Sequence, residues 1–397
     1  MAARDSDLLT AEEAAEHLGV SRATLYAYVS RGLVASEPGP GPSRARRYPR
    51  GDLDEFRGRR ERNRDRELVA HGSLHWGLPL LDSALTLIQD GRVYYRGRDV
   101  VELSRSTGFE EVAALLWTGD ERDAAGLFAG GGAAAVEPQP AEVPMATRLS
   151  DHLVAAADRT LVTLGSPRPA TLRAAGRAVE GLFGAAGARG DGTLAERLAR
   201  GWRTDAADDL RAALVLSADH ELNVSSFTAR CVASADARLE HVLLAALCAL
   251  RGRRHGGLLE RVEDLLDQVD RDGARPAAGR AMGDGAGLPG FGHPLHPRGD
   301  PRGAELLARA GPGAGVDELV SLAREELSLL PTLDLGLAAL ARARGLPPGG
   351  AFALFALGRS AGWVAHAREA WADERLIRPR SRYVGPAPTQ DTRRRTR

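Results

Sequence analysis

Two histidines bracket the most apolar part of the chain. In SADHELNVSSFTARCVASADARLEHVLLAALCALRGRRHGG (217–257), Asp219-His220 stands at one end and His255 at the other. Imidazoles and carboxylates are the side chains that move protons near neutral pH. Further on, His293 follows the glycines of LPGFGH and Arg302 lies nine residues beyond it. Asp334 sits in PTLDLGLAAL, Arg359 in LGRSAGWVAHAREAW and Arg378 in LIRPRSRYVGP. Lysine is absent, so the 53 basic residues are all arginine, balanced by 53 acids. That excludes a phosphate loop with its lysine, a Schiff-base lysine and a pyridoxal-phosphate anchor. Anion recognition is left to guanidinium forks, which suit carboxylates and phosphates.

Other chemistries fail on spacing. His220-Glu221 begins like a zinc helix, but the fourth position on is Val224, so HExxH is not formed and no metal is expected. GRSAG (358–362) has the form of a nucleophile elbow. Its flanks read as helix and no acid-then-histidine order follows, so a hydrolase is not expected. The glycine-rich stretches lack the strand–GxGxxG–helix context of a dinucleotide fold. His296 reads as a loop residue rather than a ligand.

The elements that position these residues read as helices. Between Asp219-His220 and His255, apolar residues recur at three- and four-residue steps or their sum: Val232, Leu239, Val242-Leu243, Ala246-Leu247, Leu250. His255-Gly256-Gly257 reads as the stop of that helix, with glycine in a left-handed turn and the imidazole facing outward. Cys231 and Cys248 fall inside the stretch and read as small core residues in a reducing cytosol. Upstream, Asp90-Gly91 between LTLI and VYY signals a hairpin, and FEEVAALLW an amphipathic helix. Residues 129–144 read as a surface loop. From 145 to 215 the pattern is helical, broken at Pro167-Arg168-Pro169 and at glycine-rich 184–192. No run approaches a membrane span and no signal peptide is evident, so a cytoplasmic protein is expected.

The first sixty-six residues differ in kind. Thr10 with Glu13 forms a capping box for a helix holding Ala14, Ala15 and Leu18 inward. Gly19-Val20 is a turn, and Ser21 caps a second helix with Leu25, Tyr28 and Val29 inside and Arg22, Thr24 and Tyr26 outside. A Pro/Gly loop, the basic run Arg44, Arg46, Arg47, Tyr48, Arg50 and a short helix follow. Ten arginines lie between 44 and 66 against five acids. About residues 8–58 resemble a MerR/excisionase winged helix–turn–helix, which implies DNA contact through the second helix and the basic hairpin. A docking module that kept only the shape is the alternative.

Over about residues 74–386 the chain resembles the citrate synthase family. ADHELN, RHGG, GFGH with its downstream DPR, PTLDLG, LGRSAGW and the arginine-rich tail occur in the family's order. YYRGRDV with GFEEVAALLWTGD is similar to the family's first hairpin and helix. The resemblance implies a mainly α, two-domain fold over 67–397, preceded by the helix–turn–helix domain of 1–66. Its large domain would take about 67–256 and 348–397, its small domain about 257–347. It implies condensation of acetyl-CoA with oxaloacetate and water to give citrate, with no metal or redox cofactor. Asp334 would be the base, His255 the enolate stabiliser and His293 the ketone polariser. His220, Arg302 and Arg359 would hold oxaloacetate, with Arg378 supplied by the partner of a homodimer. A 2-methylcitrate synthase using propionyl-CoA, and a DNA-binding regulator built on the same fold, stand as alternatives. The chain departs from the family pattern at Arg253-Arg254, Leu258-Leu259 and Pro294-Leu295-His296-Pro297, positions that bear on coenzyme A and loop shape.

Overall fold

The computed structural model divides into two compact units, Met1–Asp82 and Ser83–Arg397. It describes residues 8–30, 33–39, 46–58, 81–128, 140, 142–159, 168–283, 287–311 and 313–386. Arg44, most of the Pro/Gly loop, most of the charged joining segment, most of the 129–144 loop and the terminal arginines lie outside these.

The first unit contains β1 (Leu8–Leu9), α1 (Ala11–His17), α2 (Arg22–Ser30), β2 (Glu37–Pro38), β3 (Arg46–Pro49) and α3 (50–58). The strands form an antiparallel sheet in the order β1-β3-β2. The Thr10–Glu13 capping box closes as expected, Gly19 turns at φ +63°, and Ser21 Oγ accepts from the Thr24 amide at 3.2 Å. Ala14, Ala15, Leu18, Leu25, Val34, Tyr48 and Leu53 form the core, with Tyr28 and Phe56 packed against it at 5.1 Å between ring centres. Arg22 and Tyr26 face outward on α2.

The second unit opens with an antiparallel sheet of β4 (Thr86–Gln89), β5 (Arg92–Tyr95) and β6 (Arg98–Asp99). Asp90 and Gly91 both take positive φ, as a two-residue hairpin turn requires, and Arg96-Gly97 repeats the device. Helices follow: α4 (Val100–Ser106), α5 (Phe109–Thr118), α6 (Ala124–Leu127), α7 (Met145–Ala157), α8 (Arg168–Ala185), α9 (Leu194–Trp202), α10 (Ala207–Ser217), α11 (Val224–Ser234) and α12 (Leu239–Leu250). Then come α13 (Leu258–Asp272), α14 (Ala274–Gly283), α15 (Pro301–Ala310), α16 (Ala314–Leu327), α17 (Leu333–Ala343) and α18 (Gly350–Asp373). Among the described residues no helix is long and apolar enough to cross a membrane.

Two hydrophobic clusters build this unit. The larger is gathered around α18, which is buried along most of its length against α5, α10, α11 and α12. The smaller joins α13, α14, α16 and one face of α17 with Leu288 and Phe291. Absent side chains make the closest approaches possible. A Cβ on Gly358 would lie 2.6 Å from the Leu214 carbonyl oxygen and one on Gly362 2.4 Å from that of Ala218, so α18 lies directly on α10. GRSAG is therefore the small-residue face of a helix, and Ser360 Oγ is bonded to the Leu357 carbonyl. Gly303 on α15 and Gly336 on α17 meet in the same way.

Several local readings are corrected. The apolar stretch 217–257 is two helices, broken where Asp236 takes φ +59°. The second ends at Leu250, and neither Gly256 nor Gly257 is left-handed. They are glycines because a Cβ would strike Leu250 at 2.8 Å or the Arg251 carbonyl at 2.4 Å. Cys231 is only partly buried and Cys248 is exposed, so neither belongs to the core. The FEEVAALLW helix is not amphipathic, since Val112–Trp117 are all buried between α18, α10 and α9. Arg168-Pro169 begins α8 rather than only interrupting a helix, in keeping with proline's fit to a first helical turn.

Candidate active site

The turn between α10 and α11 is held from three sides. Tyr95, at the end of β5, donates its hydroxyl to the Asp219 carbonyl at 3.0 Å and accepts from the Asp219 amide at 3.0 Å. Thr86 Oγ1 donates to Asp219 Oδ2 at 2.5 Å, and His366 Nε2 lies 3.2 Å from Oδ1. Asn223 caps α11 and donates its Nδ2 to the His220 carbonyl at 3.2 Å. The hairpin, α18 and the α11 cap thus fix the backbone that carries His220. Burial works to raise the Asp219 pKa, but His366, Arg359 and Thr86 outweigh it and hold the carboxyl below its usual range.

The second half of the site is a pairing of two loops. The Gly292 amide donates to the Leu330 carbonyl and the Thr332 amide to that of Gly290, each at 2.9 Å, around a Phe291–Pro331 bridge. This sets GFGH beside the start of α17. Asp300 completes the clamp: it caps α15, forks with Arg302 at 3.0 and 2.7 Å, and accepts from the Leu333 amide at 3.3 Å. Arg302 is held from one side only, because its Nη1 is buried with no hydrogen-bond partner among the described residues. His293 Nδ1 accepts from the Leu295 amide at 3.2 Å, which leaves its ring hydrogen on Nε2. Asp334, in the first turn of α17, meets among the described residues only Thr332 Oγ1, at 3.3 Å, by hydrogen bond to a side chain.

His255 stands on the turn after α12. Its ring is edge-on to Phe355, 5.9 Å between centres, and its Nε2 is 3.0 Å from Ser225 Oγ. It is partly buried rather than outward-facing. Ser225 accepts from Trp363 Nε1 at 3.1 Å and donates its hydroxyl to Asn223 Oδ1 at 2.8 Å, an oxygen that also takes the Ser225 and Ser226 amides. Arg359 crosses above Phe355 at 5.0 Å and donates its Nε to the Ser217 carbonyl at 2.8 Å.

The electrostatics set these groups apart by protonation state. Burial, then the charge of Asp300, raises Asp334 to about 6 against the pull of Arg302. Burial and Arg359 lower His255 to about 3, and burial and Arg302 lower His293 to about 4, so both are neutral at pH 7. Burial lowers Arg359 to about 10, still charged at that pH. The two guanidiniums act on each other and on His220 and Asp334. The seam between the clusters therefore holds neutral donors, a carboxylate that titrates near neutrality and two buried cations. That combination receives an anionic substrate and removes a proton from it or beside it.

Six of the seven residues singled out in the sequence meet here. Arg378 does not. It is exposed in the tail after α18, and its neighbour Ile377 donates its amide to Ser234 Oγ at 3.1 Å. That anchors it at the far end of α11 from His220, about 16 Å along the helix axis. Two residues that sequence reasoning passed over join the cluster. Ser225 supports His255, and no sequence signal pointed to it. His296, taken for a loop residue, is 3% exposed with its Nε2 2.8 Å from that of His220. His220, His293 and His296 lie 5.1–5.3 Å apart by ring centres. Among the described residues no group of three or more His, Cys, Asp or Glu side chains is placed to hold a metal ion.

Comparison with known proteins identifies the family of the fold. Residues 73–130 and 153–380 match the model of the citrate synthase C-terminal domain, and residues 8–61 that of a helix-turn-helix domain. A citrate synthase from Haloferax volcanii is 30% identical over 363 residues, covering 78% of this chain and 94% of the relative. The crystal structure of citrate synthase from Thermotoga maritima matches at TM-score 0.65 and 26% identity, over 81% of this chain and 98% of that one. The fold is also that of the Thermoplasma acidophilum citrate synthase solved with carboxymethyl coenzyme A and oxaloacetate, at TM-score 0.68 and 23% identity, over 79% and 96% of the two chains. The chain thus belongs to the citrate synthase family: it is a transferase of the citrate synthase type that also carries a helix-turn-helix domain.

Proposed function

We propose that this enzyme condenses acetyl-CoA with oxaloacetate and hydrolyses the resulting thioester to citrate and coenzyme A. The observation that carries the reading is the meeting of Asp334, raised to about 6, with neutral His255 and His293 and the buried guanidiniums of Arg302 and Arg359. Asp334 takes a methyl proton of the thioester, and its raised pKa brings its basicity closer to that task. The charge moves to the thioester oxygen, where a ring N–H of neutral His255 donates to the enolate more strongly than to the starting carbonyl. His293 Nε2–H polarises the ketone of oxaloacetate, and the enolate carbon closes the new C–C bond on that carbonyl. Arg302, whose Nη1 has no partner among the described residues, Arg359 and His220 hold the dicarboxylate. Water then cleaves the citryl thioester.

Arg378 completes the site of a partner subunit in a homodimer, which its distance from its own His220 supports. Residues 8–58 contact DNA through α2, a reading supported by the folded core of that unit and the outward Arg22 and Tyr26. One extra methylene changes binding by about 1–3 kcal/mol, so acetyl-CoA and propionyl-CoA are tested side by side. Thiol release is expected from wild type with oxaloacetate, and none from Asp334→Ala. A folded wild type that releases no thiol from either thioester refutes the reading. A kcat/KM higher with propionyl-CoA makes it a 2-methylcitrate synthase.

A further inference from the structure

His296 is the imidazole of the cluster that the steps above leave without a task. We propose that His296 is a positioning residue for His220: its Nε2–H holds His220 in the form protonated on Nδ1, which presents a donor to oxaloacetate. This rests on the reading of His220 as a substrate-binding residue.

The geometry begins with the contact between the two Nε2 atoms, at 2.8 Å. Both rings are buried, so water does not compete for the contact. Burial lowers the pKa of each, reinforced for His220 by Arg302 and Arg359, and both rings are neutral. Two neutral imidazoles at this distance share one bridging hydrogen, and the acceptor ring carries its own on Nδ1. Which ring donates is decided by what surrounds the remaining nitrogens. His296 Nδ1 is buried with no partner among the described residues. If His220 donated, that atom would carry an N–H enclosed in protein with nothing to receive it, an arrangement that proteins rarely tolerate. If His296 donates, the enclosed nitrogen is bare and the N–H moves to His220 Nδ1. That nitrogen is not among the buried, unpartnered atoms.

The loop is built to hold His296 in place. Its amide donates to the His293 carbonyl and its own carbonyl accepts from the Gly299 amide, both at 2.9 Å. Pro294 and Pro297 restrict the backbone on either side, and Asp300 ties the segment to α15 and α17. The Pro-Leu-His-Pro run, a departure from the family pattern, is thereby given a role: a stiff loop that delivers an imidazole to the back of His220.

Imidazole nitrogens labelled with 15N report the tautomer directly. Two-bond 1H–15N correlations should show His220, assigned by the signals lost in His220→Ala, with its hydrogen on Nδ1. His296→Leu should convert it to the Nε2–H form or a mixture, while His296→Gln, which keeps an amide N–H in reach, should restore it. In turnover, His296→Leu should raise the KM for oxaloacetate by about tenfold, the order expected for one buried hydrogen bond. Its kcat and KM for acetyl-CoA should stay near wild type, with recovery in the Gln variant. A wild-type His220 protonated on Nε2, or an unchanged oxaloacetate KM in His296→Leu, overturns the proposal. If His220→Ala itself leaves that KM unchanged, the substrate-binding role of His220 fails instead, and the imidazole spectrum still decides the pairing.

Discussion

Replacing the proposed base should make the protein more stable, and by an amount that depends on pH. Asp334 has its pKa raised from an ordinary 3.8 to about 6, with burial the largest cause and Asp300 the next. A carboxyl with a raised pKa binds its proton more tightly in the folded state. Its contribution is therefore most favourable below about pH 4 and is lost as pH rises through about 6. Above that, the folded protein holds an ionised group it would rather keep neutral, at a cost of about 3 kcal/mol for a shift of about two units. Asp334→Asn removes the charge and keeps the shape. Its thermal midpoint should match wild type near pH 4 and exceed it at pH 8 by about 6 °C, taking about 2 °C per kcal/mol for a unit of this size. Turnover should fall at least about a thousandfold, as when a catalytic base is lost. Calorimetry from pH 4 to 8, paired with thiol release, reads both effects. A midpoint difference that is the same across that range refutes the raised pKa. A variant that is more stable at pH 8 yet turns over normally refutes Asp334 as the base.

Wild-type kcat/KM for acetyl-CoA should fall on the acid side with an apparent pKa near 6, because Asp334 must be ionised to accept the proton; a limb near 4 would point to an ordinary carboxylate. Ser225→Ala removes the hydroxyl that contacts His255 Nε2 and holds the ring in place. It should lower kcat about 10- to 100-fold with little change in oxaloacetate KM, and an unchanged kcat argues against that role. Gly303→Ala would set a Cβ 2.3 Å from the Thr332 carbonyl oxygen. Urea unfolding should register a loss of about 1–3 kcal/mol, and no loss would mean that α15 and α17 can part freely. If Arg378 serves the partner's site, mixing inactive Arg378→Ala and Asp334→Asn subunits should restore one working site per mixed dimer, whereas action within its own chain predicts no recovery.

Much of the site was legible because its members lie in short segments whose order and residue types are diagnostic. The helix–turn–helix was legible for a local reason: Thr10 and Glu13 are one helical turn apart, and Gly19 supplies a turn between two short amphipathic helices. The Asp90-Gly91 hairpin was equally local. Reading failed where a residue's state depends on distant neighbours. Periodicity ran α11 and α12 together because it does not register a single left-handed residue at Asp236. The glycines after His255 looked like a helix stop, yet the reason for them is contact with Leu250 and the Arg251 carbonyl.

His296 shows the division most clearly. Its spacing from His293 is the same in the unfolded chain as in the folded one, but its partner lies 76 residues earlier and is brought to 2.8 Å only by the packing of two loops. The sequence by itself determined the inventory: arginine as the only cation, neutralisable carboxylates and imidazoles, helical scaffolds and the family they belong to. The tertiary structure decided which of those groups are desolvated, which tautomers they hold and which protons they can move. Those properties come from burial and from charges on other elements, and neither exists until the chain has folded.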